Sequence, residues 1–186
     1  MPHIPLQEHL PGITGLLEYR QDTAEPIREL TQVLLKGPST LTEGERELIA
    51  TIVCYGNECN FCNAAHTAAA DILLGEHETS AKMKQDIETT PVSEKMKALL
   101  TIAAQVRESG KSVTTASVER AKAAGATDIE IHDTVLIAAL FCLYNRYVDG
   151  LATVVPADQG FYMSLAEKIR DQGYVRTPGW YDKLKK

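Results

Sequence analysis

Two cysteines and a histidine fall within eight consecutive residues, Cys59-Asn60-Phe61-Cys62-Asn63-Ala64-Ala65-His66. If Cys59 opens a helix, Cys62 lies one turn on and His66 a further turn on, so the three side chains share one face. A helix N-terminus, a Cys-x-x-Cys pair and a neighbouring imidazole each favour thiolate over thiol. A thiolate attacks a peroxide oxygen and becomes a sulfenic acid, and a second thiol three residues away condenses with it to a disulfide. Glu47 supplies the carboxylate such a site lacks. It sits on the preceding helical segment with Ala50, Thr51 and Cys54 on its own face. If the two helices form an antiparallel hairpin around Gly56-Asn57, Cys54 lies closest to the cysteine pair. Glu47 then lies two turns further down, near His66, where it orients the ring or relays a proton.

Other chemistry fits less well. Cys54, Cys59, Cys62 and His66 are zinc-ligand types, but three of them run along one helix instead of forming two knuckles. Haem attachment requires a His directly after the second Cys, and Asn63 stands there. Cys54 and Cys142 read as buried core thiols, the common fate of free Cys. His132 beside Asp133 reads as a surface or structural residue. Asn145, Arg146 and Asp149 read as the end of an apolar helix, Tyr144 and Tyr147 as core aromatics, and Trp180 as a tail residue packed on a neighbouring subunit.

The elements that must position these groups are helices, since no run of alternating strand residues appears. Ile13 to Tyr19 forms a short helix. Thr23 caps the next, with Pro26 in its first turn and Leu30, Val33 and Leu34 as its apolar stripe, ending at Gly37-Pro38. Thr42-Glu43-Gly44-Glu45 is a capping box that opens a helix with Leu48, Ile49, Ile52 and Val53 inward. Gly56 suits its left-handed stop. The cysteine helix runs from Cys59 to Leu74-Gly75. Helices follow over Thr79 to Ile87, Ser93 to Glu108 and Thr114 to Ala124, then a long apolar one from the Thr127-Asp128 cap to Val148. Asp158 to Asp171 is amphipathic, and the tail after Gly173 is irregular.

The 186 residues carry 19 basic and 25 acidic side chains, a net charge of −6, which argues against a nucleic-acid partner. No apolar stretch is long enough to span a membrane. The opening residues lack a basic segment followed by an apolar one, and four cysteines are too few for a disulfide scaffold, so the expected setting is the reducing cytoplasm.

Glu43-Gly44-Glu45-Arg46-Glu47-Leu48-Ile49-Ala50, Asn57, the Cys59-x-x-Cys62 pair and His66 together resemble the alkylhydroperoxidase AhpD/carboxymuconolactone decarboxylase family, most closely its peroxidase-related branch. Ala123 to Ile131, and Leu140-Phe141 with Tyr144-Asn145-Arg146, look like the second half of that pattern. The resemblance spans roughly Pro11 to Leu151. It implies a single all-α domain over 1–186, with its core at about 11–151 and a C-terminal helix and tail at 152–186. It also implies a thiol-dependent hydroperoxide reductase that needs no bound cofactor. In that reading Cys62 forms the sulfenic acid, Cys59 resolves it, and His66 and Glu47 relay the proton. The expected partners are a hydroperoxide, an external dithiol such as a lipoylated protein, and further copies of the chain in a trimer or hexamer. The helix terminus favours Cys59 as attacking sulfur and His66 favours Cys62; a specific base outweighs an exposed terminus effect of about 0.3–1 kcal/mol. Two positions depart from the pattern. Phe61 stands where AhpD proper has a His of the relay, and Cys54 where Ser is more usual. Decarboxylase relatives work without a Cys pair. A zinc-binding protein or a non-catalytic helical assembly that retains the motif is the alternative.

Overall fold

A computed structural model describes residues 1–185, which among themselves form helices and no strand. In order these are α1 (Ile13–Tyr19), α2 (Gln21–Lys36), α3 (Glu43–Gly56), α4 (Asn60–Leu74), α5 (Glu78–Gln85), α6 (Glu94–Glu108), α7 (Thr115–Ala123), α8 (Asp128–Gly150), α9 (Gln159–Gln172) and α10 (Pro178–Asp182). The hairpin of α3 and α4 is the centre. α6 and α8 pack behind α3, and α9 lies across α4.

α3 is fixed at both ends. The Thr42 hydroxyl accepts the Glu45 amide at 3.2 Å and the Glu45 carboxylate accepts the Thr42 amide at 2.8 Å, the reciprocal capping box. One turn on, buried Arg46 donates to the carbonyls of Leu34 (3.0 Å) and Gly37 (2.9 Å), occupying the end of α2 and tying it to α3. Leu48, Ile49, Ile52 and Val53 are all buried.

The turn into α4 is made differently from the sequence expectation. Gly56 stays helical, and its value is closeness: a Cβ there would lie 2.5 Å from Cδ of Arg107, whose guanidinium donates to the Gly56 carbonyl at 2.9 Å. The left-handed residue is Glu58, at φ 57. The Cys59 amide donates to the Cys54 carbonyl (3.2 Å) and the Glu58 amide to the Tyr55 carbonyl (3.0 Å), the paired bonds of a Schellman stop. This stop delivers Cys59 as the N-cap residue of α4 and brings its backbone against that of Cys54.

Three further expectations are corrected. α2 begins at Gln21, not after Thr23, whose hydroxyl instead donates to the Arg20 carbonyl at 3.2 Å. Its inner face is Ala24, Arg28, Thr31, Leu34 and Leu35, while Leu30 and Val33 are 38% and 66% exposed. The tail is not irregular. It turns at Gly173 (φ 68), where a Cβ would lie 2.3 Å from Oε1 of Gln32, and forms α10, with Trp180 and Tyr181 packed on Leu10 and Phe161 of the same chain.

α8 starts with a second capping box, Thr127 and Glu130, and the Glu130 carboxylate is used twice over. It accepts the Thr127 amide (2.8 Å), Lys95 Nζ (2.7 Å) and the Thr40 hydroxyl (2.8 Å), joining α8, α6 and the α2–α3 loop. Burial acts to raise its pKa, but Lys95, the Thr127 amide and Thr40 outweigh burial and hold it at about 2.

Two stability measurements check this description. Glu58→Gly should raise stability by up to about 1 kcal/mol in chemical denaturation, because the exposed side chain gains nothing from its left-handed backbone. Glu130→Gln should cost about 2 kcal/mol at neutral pH. Because the folded-state pKa lies below the unfolded one, this contribution is complete above about pH 4.5 and is lost as pH falls toward 2, so the two melting curves should converge there.

Candidate active site

The hairpin places Glu47 at the centre of the molecule with no exposed surface. His66 Nδ1 lies 2.8 Å from Glu47 Oε2, and the Tyr174 hydroxyl donates to Glu47 Oε1. In the neutral ring, an Nδ1–H that donates to the Glu47 carboxylate leaves Nε2 with a lone pair, the arrangement of a base oriented by a buried acid. Burial first, then the Glu47 charge and the hydrogen bond to it, push the Tyr174 phenol far above its ordinary pKa, so it acts as a fixed donor. The His66 ring is held by the edge of Phe141 at 4.5 Å between centroids and by Tyr174 stacked at 6.2 Å. Tyr174 is a site residue the sequence reading missed. It lies 127 positions from Glu47, in a segment read as structureless.

All four cysteines are free thiols, and Cys54, Cys59 and Cys62 are buried. The Cys59 and Cys62 thiols act on one another, and Cys54 acts on Cys62. The Asn145 amide donates to Cys54 Sγ at 3.3 Å and its oxygen accepts Asn57 at 2.8 Å, so the end of α8 reaches the thiols directly. Asn57 Nδ2 also approaches Cys142 Sγ at 3.6 Å. The expectation of acidified thiols is not met in this resting arrangement. The hydrogen bond to Cys62, then burial, push the Cys59 thiol far up. Cys62 is raised by its hydrogen bond with Cys54 and by burial, while the bond with Cys59 and that with Asn145 work the other way. Helix-terminus stabilisation is too small to offset full burial beside two other thiols.

The two sulfurs differ in access. A cavity of about 80 Å³ opens beside α4, and Cys62 and His66 both line it, whereas Cys59 lies outside its wall. Phe61, Phe141, Tyr144 and Trp180 contribute aromatic rings to the wall. Phe61 fills the position between the cysteines with carbon, packed on Phe161 (6.2 Å between centroids) and Tyr162 (5.9 Å) of α9. Gly12, at φ 57, lets the backbone pass this ring, since a Cβ there would meet the Phe61 ring at 2.3 Å. Tyr144 lines the cavity and its hydroxyl lies 2.6 Å from that of Thr31. His132 lies on the surface, 2.9 Å from Asp133. Among the described residues, no group of three or more His, Cys, Asp or Glu side chains is arranged to hold a metal ion. No helix among them is long and apolar enough to cross a membrane.

Residues 21–73, which run from α2 to the end of the cysteine helix, match the carboxymuconolactone decarboxylase family model. No curated protein has significant sequence similarity to the chain. Among solved structures, an uncharacterized peroxidase-related protein from Silicibacter sp. TM1040 is similar with a TM-score of 0.74 and 24% identity, over 82% of this chain and 78% of that one. An uncharacterized peroxidase-related protein from Ralstonia eutropha JMP134, described as an alkylhydroperoxidase AhpD core, is similar with a TM-score of 0.77 and 20% identity, over 89% of this chain and 96% of that one. At these identities the two structures show the fold. The family model thus matches α2 to α4, and the all-α fold shared with the two structures extends over most of the chain.

Proposed function

We propose that this protein reduces organic hydroperoxides with its cysteine pair. The observation that carries the reading is that Cys62 and His66 face one cavity while His66 is held by the buried Glu47. As a hydroperoxide enters, His66 Nε2 takes the Cys62 proton and the thiolate sulfur attacks the outer peroxide oxygen. The O–O bond breaks, the alkoxide takes the proton back from His66 and leaves as the alcohol, and Cys62 is left as a sulfenic acid. The Cys59 thiol attacks that sulfur, water leaves, and the pair is a disulfide. An external dithiol, of which a lipoylated protein is one example, restores both thiols and becomes a disulfide itself. The sum is hydroperoxide plus dithiol giving alcohol, water and disulfide.

The raised pKa values of the thiols fit a mechanism in which the proton is removed as the substrate arrives. A resting thiolate next to Cys54 and Cys59 would be costly to bury and open to unwanted oxidation. The Glu47–His66 pair, fixed by Tyr174, is the group that meets that cost at the moment of reaction. Phe61 adds no second imidazole, so the whole proton transfer falls to His66. Exposed Leu30 and Val33 on α2 support assembly with further copies of the chain, in the trimer or hexamer expected from the family.

The test is dithiol-dependent consumption of tert-butyl hydroperoxide. Wild type should lose two thiols on stoichiometric oxidation, and Cys62→Ser should lose the activity entirely; full activity in that variant would overturn the reading. Glu47→Gln should reduce kcat/KM by roughly 10²- to 10⁴-fold, the range of a positioned acid–base group.

Tyr174→Phe keeps the ring but removes one of the two donors to a buried carboxylate. It should cost about 1–3 kcal/mol of stability and lower kcat/KM by about tenfold or more. The alkaline or acid limb of its pH–rate profile should move, a change that a purely structural role for the hydroxyl would not produce.

A further inference from the structure

The cavity wall holds two cations that the peroxidase cycle does not use, Arg28 from α2 and Lys168 from α9, and no carboxylate lines it among the described residues. Both side chains are buried, Arg28 at 7% and Lys168 at 9% exposure. Arg28 Nη2 donates to Glu18 at 2.8 Å and to the Tyr181 hydroxyl at 3.1 Å, but Nη1 is buried and has no partner. Glu18 does not neutralise Arg28 alone. Its carboxylate also takes three contacts from Arg176, at 2.7 to 3.1 Å. Lys168 Nζ donates to the neutral carbonyls of Gly173 (2.9 Å) and Val175 (3.0 Å), which leaves one N–H, and no carboxylate pairs with it among the described residues. Burial, and after it the charge of Arg28, push the Lys168 pKa down to about 8, so the two cations feel one another across the same space.

A buried donor without an acceptor is destabilising, and a buried charge without a counterion more so. Both stand in the wall of the cavity that holds Cys62, where a single anion would satisfy the two. Two free donors match the two oxygens of a carboxylate, the pairing a guanidinium and an ammonium favour. A phosphate would bring a third oxygen and a second charge, and among the described residues no Lys or Arg side chain besides these two lines the cavity. We propose that the substrate is a small carboxylate-bearing hydroperoxide, its carboxylate held by Arg28 Nη1 and Lys168 Nζ and its peroxide presented to Cys62. This rests on the peroxidase reading for the reacting end, while the carboxylate subsite stands on Arg28 and Lys168 alone. The tail that carries Gly173, Val175 and Tyr181 thereby orients both cations as well as Tyr174.

The test uses two matched pairs of probes. 4-Methylpentanoate and 4-methylpentanamide report binding by calorimetry. 4-Hydroperoxy-4-methylpentanoate and its amide report turnover with dithiothreitol. Wild type should bind the carboxylate at least tenfold more tightly than the amide and show an acid-to-amide kcat/KM ratio of ten or more. In Arg28→Gln and Lys168→Met that ratio should fall toward one, and Arg28→Lys should recover part of it. Should the variants fail to fold, the wild-type comparison alone decides. Equal binding of acid and amide by wild type, with equal consumption of both hydroperoxides, would overturn the carboxylate subsite and leave the peroxidase reading standing. Preferential carboxylate binding without consumption of either hydroperoxide would uphold the subsite and overturn the peroxidase reading.

Discussion

Glu47 is a carboxylate with no exposed surface, and both of its oxygens are met by side chains. One oxygen meets His66 of α4 and the other the hydroxyl of Tyr174 from the turn after α9, so a residue of α3 binds three separated parts of the chain together. An isolated charge in such a place would cost several kcal/mol, which makes each of its partners structurally necessary. The same contacts fix the tautomer and plane of His66. The hairpin, the turn at Gly173 and the packing of α9 are therefore conditions for the acid–base pair as well as for the fold.

Around this pair, the chain separates two requirements that pull against each other. The thiols must be protected from solvent, and one of them must meet a substrate. Burial of Cys54, Cys59 and Cys62 answers the first, and for Cys59 and Cys62 it works against the thiolate. The cavity wall answers the second by admitting Cys62 and excluding Cys59. In the proposed cycle, the choice of Cys62 as attacking and Cys59 as resolving sulfur rests on access more than on the acidity that a helix N-terminus confers. Phe61 belongs to the same compromise. It gives up a polar neighbour of the pair in return for an apolar contact that seats α9 over α4.

The hairpin and the grouping of its candidate residues were legible in the sequence because their signals are local. The capping box at Thr42, the cap at Thr127, the Gly75 stop and the Cys-x-x-Cys-x-x-x-His spacing each act within one or two turns. Glu47 could be placed near His66 since a tight hairpin leaves its helices few ways to align. Glu58 was not legible: the left-handed position falls two residues after Gly56, which stays in the helix with Arg107 packed on it from a distant part of the chain. Tyr174, Arg28 and Lys168 were not legible for a related reason. A short, Gly- and Pro-containing tail has no periodicity of its own, and its order comes from Gln32, Arg28 and Glu18, which it meets on α1 and α2. Leu30 and Val33 mark the opposite failure, an apolar stripe that the fold of the single chain leaves uncovered.

The central claim is that Cys62 is the sulfur that meets the peroxide, because it alone of the pair faces the cavity shared with His66. It is tested most directly by mass spectrometry of Cys59→Ser protein treated with one equivalent of tert-butyl hydroperoxide in the presence of dimedone. The account predicts a single dimedone adduct, on Cys62, whose yield collapses when Glu47→Gln is added. An adduct on Cys54 or Cys142 with Cys62 unmodified, or none on any cysteine while the peroxide is still consumed, would contradict it.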